Sequence, residues 1–155
     1  MRIDYPKLLI AIFLCELAGV IGSLFTFSSI PNWYAALVRP SFSPPNWLFA
    51  PVWTALYALM GIAVYLVYMH KKKPRNAALL AFGAQLLLNM LWSVVFFGWN
   101  SIQGGLIVIL LLWLAIIWTI MKFYPIDRFS AYLLVPYLLW VSFAAVLNYY
   151  IFILN

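Results

Sequence analysis

Five stretches, Leu8 to Ser29, Trp47 to Met69, Ala77 to Gly98, Gly104 to Phe123 and Phe129 to Leu154, are apolar along almost their whole length, with only short polar breaks between most of them. Crossing the hydrocarbon of a bilayer takes about 20 such residues at the helical rise of about 1.5 Å. Each stretch is long enough for one crossing, and little chain remains for anything else. With 68% hydrophobic and 8% charged residues, the balance is also far from that of a soluble domain. The sequence therefore predicts an all-α integral membrane protein, a single five-transmembrane-helix bundle, whose one long connection is residues 30–46.

The nine Lys and Arg residues leave a net charge of +6. They sit at the borders of the apolar stretches, without aromatic platforms between them, so nucleic acid is not an expected partner. They read instead as topology signals, the run from His70 to Arg75 included. With five crossings, Arg2, Lys7, Lys71, Lys72, Lys73, Arg75, Lys122 and Arg128 fall on the N-terminal side and only Arg39 on the other. The positive-inside rule then predicts a cytoplasmic N-terminus, with the 30–46 connection outside. Arg2 and Lys7 ahead of an apolar run also suit a signal peptide, but the run is long and no small-x-small site precedes Pro31, which predicts a retained helix. Cys15, the single cysteine, cannot form an intramolecular disulfide. One His, one Cys and three scattered acids are too few for a metal centre, and none is expected.

The stretch from Arg39 to Tyr57 carries the most local information. Pro40, Pro44 and Pro45 fix their own φ and push the preceding residues toward extended geometry, predicting a stiff loop over 40–46, after which Asn46 is a candidate cap. In the following helix Phe49, Trp53 and Tyr57 recur every four residues and line one face. Upstream, Pro31 with Trp33, Tyr34 and Leu37 predicts a short amphipathic helix at the interface. Trp33 and Tyr34 fit either an aromatic belt or the lid of a pocket beside the proline loop.

Inside the crossings, polar residues are few. Glu16 is the one acid at membrane depth; it suits a proton or cation carrier, or else a protonated carboxyl facing the bundle. Ala18, Gly19, Gly22 and Ser23 form a small-residue ridge for close helix packing. On the third helix Gln85, Asn89, Trp92 and Phe96 share a face, lining a cavity or bonding across helices, while Ala77, Ala78, Ala81 and Ala84 offer a smooth surface to a neighbouring helix or a second protomer. The fourth helix is nearly featureless and is expected to face lipid. On the fifth, Pro136 predicts a kink that turns Trp140 inward, with Ala144 leaving room beneath it and Leu147 and Asn148 a turn further on.

Four blocks occur in order: WYAALVRPSFSPPNW at 33–47, PVWTALYALMG at 51–61, QLLLNMLW with FFG at 85–98, and PYLLW with LNY at 136–149. Together they resemble the TspO/MBR family of tryptophan-rich sensory and translocator proteins. The resemblance implies a five-helix bundle, often a homodimer, with a pocket under the first outer loop for porphyrins such as protoporphyrin IX, for haem, and for flat synthetic ligands. It assigns to that pocket Trp33, Tyr34, Trp53, Tyr57, Asn89, Trp92, Trp140, Ala144 and Leu147. Animal members carry a cholesterol motif in the fifth helix; here Leu147 and Tyr149 are followed by no basic residue, so cholesterol is not an expected partner.

The reading that follows is a multi-pass protein of a prokaryotic cell membrane that binds, carries or senses tetrapyrroles. Their rings would stack on Trp and Tyr and their carboxylates stay near Arg39, with no further cofactor required. One alternative is light-dependent porphyrin degradation, with Trp53 and Trp140 as candidate redox-active rings, although no acid-base or nucleophile constellation supports catalysis. A second is a small proton-coupled drug exporter using Glu16.

Overall fold

The computed structural model describes residues 3–70 and 75–155. Among them there are helices and no strands, and five helical spans are long and apolar enough to cross a membrane. This is an all-α, five-crossing integral membrane protein. Helix α1 runs Tyr5–Ser29, α2 Phe49–Met69, α3 Arg75–Ser93 and α4 Ile102–Phe123, while the last crossing is broken into α5, Arg128–Leu133, and α6, Val135–Leu154. Two of the three acids start helices at the border remote from the 30–46 loop. Asp4 accepts from the Lys7 backbone N–H (3.2 Å) and pairs with its ammonium (2.5 Å), which holds the Asp4 carboxyl below its usual range. Asp127 accepts from Ser130 N–H (2.9 Å).

Around the bundle the neighbours run α1, α2, α5–α6, α4, α3 and back to α1. Small residues set the tightest approach: at Gly61 of α2 a Cβ would stand 2.5 Å from Ile12 Cα of α1. Because α1 packs through the narrow ridge of Cys15, Ala18 and Gly22, its bulky Leu9, Phe13, Val20 and Leu24 point outward. The expectation that α4 faces lipid is corrected here. Held between α3 and the last crossing, α4 buries Ile109, Leu112, Ile116, Thr119 and Phe123, and Phe123 stacks on Phe82 at 5.9 Å.

The break at Leu134 comes one residue before the new helix and two before Pro136, which occupies its first turn. Across it the chain changes partners: α5 packs on α2 and α4, whereas α6 packs principally on α4. The half of the bundle beyond the break is thereby opened between α2 and α6. The other half is closed by Met60, Val67, Phe82, Phe123, Leu134 and Tyr137.

At the open end three local expectations are revised. Residues 30–34 are not a separate interfacial helix but a wide π-helical turn continuing α1. A matching π turn, Val94–Gly98, extends α3, and Ser29 Oγ donates to the Phe97 carbonyl at 2.5 Å, joining the two ends. Asn46 makes no side-chain cap; it opens a short 3-10 turn after extended Pro45, and its Oδ1 accepts from Arg39 at 3.4 Å. The proline loop itself leans toward α6. Phe42 packs on Phe143 and Tyr150, and the Asn155 amide exchanges two 3.0 Å hydrogen bonds with the backbone of Val38.

Candidate ligand-binding cavity

In the open half lies a cavity of about 330 Å³ bounded by α1, α2, α3 and α6. That size is within the range of about 300–1,000 Å³ for small-molecule sites. One wall is the aromatic stripe of α2, with Phe49, Trp53 and Tyr57 all lining the space, and Trp53 lies 5.5 Å from Tyr57. The opposite wall comes from α3, where Trp92 stacks on Phe96 at 5.2 Å with planes 16° apart. Tyr34 closes the loop end and packs on Phe97 at 5.7 Å. Ala144 and Leu147 of α6 complete the surround, and Ala144 is the smallest side chain on that side.

The floor is polar and fully paired. Tyr57 Oη donates to Asn89 Oδ1 (2.5 Å), Asn89 Nδ2 donates to Tyr137 Oη (2.9 Å), and Tyr137 Oη donates to Gln85 Oε1 (2.9 Å). Gln85 Nε2 ends the relay 3.8 Å from Met60 Sδ. Tyr57, Asn89, Gln85 and Tyr137 are all buried, so this chain ties α2, α3 and α6 together where water is absent. Higher up, Trp92 Nε1 donates to Asn148 Oδ1 (3.2 Å), and Asn148 Nδ2 donates to the Ile102 carbonyl (3.1 Å), fixing the plane of the indole.

Of the residues expected in the pocket, Tyr34, Trp53, Tyr57, Asn89, Trp92, Ala144 and Leu147 stand in its wall. Trp33 is behind it, edge-on to Phe96 at 5.3 Å. Trp140 is likewise behind, edge-to-face on Phe49 at 6.1 Å, because the break at Leu134 resets the helical phase and Tyr137 takes the inward position. Arg39 lies above in the loop, its guanidinium 5.2 Å from the Tyr34 ring centre. Asn148 and Phe49 carried a signal, an amide within a span and a place in the α2 stripe, yet neither was singled out as a site residue. Tyr137 and its role under Asn89 were missed, and only its unexplained phenol at membrane depth could have pointed there.

Glu16 also lines the cavity, on the α1 side with Gly19 and Ser23. A Cβ on Gly19 would run into the Tyr57 ring, so this glycine is what lets α1 lie against the phenol. The single ion pair among the described residues is Lys7 with Asp4; Glu16 has none.

The TspO/MBR family pattern matches residues 11–154. The chain belongs to the TspO/MBR family. It is 45% identical over 150 residues to the tryptophan-rich protein TspO of Chlorobaculum tepidum, covering 96% of this chain and 95% of that protein. The TspO of Archaeoglobus fulgidus is 44% identical over 95% of this chain and 96% of its own length. The human translocator protein is 36% identical over 86% of this chain and 81% of its own. This TspO/MBR chain is thus a multi-pass membrane protein among relatives named for sensory and translocator roles, and the aromatic cavity is the one concave site among its described residues that is enclosed by the helices of the bundle.

Proposed function

We propose that this TspO/MBR protein binds tetrapyrroles such as protoporphyrin IX or haem as ligands, for transport or sensing, in the cavity under the 30–46 loop. One observation carries the reading: an apolar space walled on two sides by Trp53 and by Trp92 stacked on Phe96, with a floor whose hydrogen bonds are already satisfied. A flat macrocycle gains from aromatic faces and needs no floor group to pair with. Transport or sensing is favoured over light-dependent degradation because the wall offers no general acid or base beside Trp53. The exporter reading is weaker still, since Glu16 has no charged partner to compensate its two protonation states. Titrating the detergent-solubilised protein with protoporphyrin IX, in the dark and under illumination, tests this: saturable quenching with recovery of intact porphyrin is expected. Absence of saturable binding would refute the reading, and a new product mass only in the light would favour the enzyme.

The same reading takes the protein to be a homodimer in a prokaryotic cell membrane with its N-terminus in the cytoplasm. The bacterial and archaeal relatives support the membrane, and the distribution of basic residues supports the orientation.

A further inference from the structure

Beside the aromatic cavity a second concavity opens within the loop, between Leu37 and Trp47. Its polar groups are Arg39, Ser43, Asn46 and Trp47, and prolines 40, 44 and 45 form its frame. Ser43 Oγ is buried there without a hydrogen-bond partner, the one such side-chain atom among the described residues. A buried hydroxyl left unpaired is costly, and native structures rarely keep one unless something occupies the site. The turn explains its position: Ser43 N–H donates to the Pro40 carbonyl at 3.0 Å, which folds the side chain back into the concavity.

The neighbours of Ser43 are donors. Arg39 uses one N–H on Asn46 Oδ1, in a long 3.4 Å contact, and the rest of its fork is uncommitted apart from the Tyr34 ring below it. No acid lies between Glu16 and Asp127 in the sequence, and Asp4 and Asp127 cap helices at the far border. A site with a guanidinium, a hydroxyl and an indole N–H, and no carboxylate, is complementary to an oxyanion. Asn46 belongs to the walls of both concavities, so one molecule can reach from the aromatic space into the loop.

We propose that the loop concavity is a carboxylate subsite, in which Arg39 and Ser43 hold an acid group of the ligand whose flat body fills the aromatic cavity. This rests on the tetrapyrrole reading above and adds a selectivity to it: diacids are preferred over their esters. A ligand carboxylate is favoured over a lipid phosphate by the shared wall at Asn46, since the two sites are then filled by one molecule.

The test compares protoporphyrin IX with its dimethyl ester, at neutral pH in detergent, for the parent protein and for Arg39→Gln, Arg39→Lys and Ser43→Ala. The parent should bind the acid more tightly than the ester. Arg39→Gln should weaken the acid about tenfold or more, as expected for loss of a charge-assisted contact, and leave the ester within about twofold, which also reports an intact cavity. Arg39→Lys should keep part of the preference, and Ser43→Ala should lose a smaller part. Equal binding of acid and ester, unchanged by all three variants, would overturn the subsite and leave the aromatic cavity standing. Equal losses for acid and ester would assign Arg39 to loop packing and also overturn it. If the parent bound neither porphyrin, both readings would fail together.

Discussion

Single residues divide the aromatic set into those that present a face to the cavity and those that hold others in place. Trp53 stands in the wall, whereas Trp140 reaches it only through Phe49. Trp53→Ala should therefore lower porphyrin affinity by about 1 kcal/mol or more, and Trp140→Ala by clearly less. Fluorescence titration of both decides the matter, and equal losses would mean that Trp140 meets the ligand. The floor makes a different prediction. Tyr57→Phe leaves Asn89 Oδ1 buried without its donor, and hydrogen bonds between membrane helices are worth about 0.6 kcal/mol on average and up to about 1.7. A loss of stability of that size is expected in unfolding by denaturing detergent. No loss would show that the Asn89 amide finds another partner.

Between elements, closeness of approach is the deciding quantity. At Gly61 a Cβ would meet backbone atoms of Ile12, which cannot rotate away, so Gly61→Ala must push α1 from α2 at a cost of about 1–3 kcal/mol. Gly83 on α3 has nothing within 4 Å of the same position, and Gly83→Ala should be neutral or mildly stabilising. The pair compared by thermal unfolding separates packing from helix propensity; equal midpoints would contradict the close contact of α1 and α2. The loop is secured at its far side by the Asn155 amide on Val38. Asn155→Ala should release it, seen as faster dissociation of bound porphyrin with little change in thermal midpoint. An unaltered off-rate would show that Phe42 against Tyr150 suffices to hold the loop.

For the molecule as a whole, orientation follows from charge. In a Cys15→Ser background, a cysteine at exposed Ser41 should react with an impermeant reagent in intact cells, while one at position 72 should not. The reverse pattern would invert the topology. Five crossings, the border charges, the proline loop and the α2 stripe were all legible in the sequence, because length, charge and local φ restriction act on a segment by itself. The faces of the other helices were not. Lipid is as apolar as a helix interface, so the featureless α4 looked lipid-facing although it packs in the core, and the bulky α1 gave no sign of its narrow contact ridge. The phase of the last crossing was equally hidden. Pro136 announced a disturbance, but whether Tyr137 or Trp140 then points inward depends on how α5 and α6 change partners between α2 and α4. Segment identity is thus written residue by residue, while the choice of which apolar or aromatic side chain meets a neighbour, and which meets the cavity, arises only when the helices close around one another.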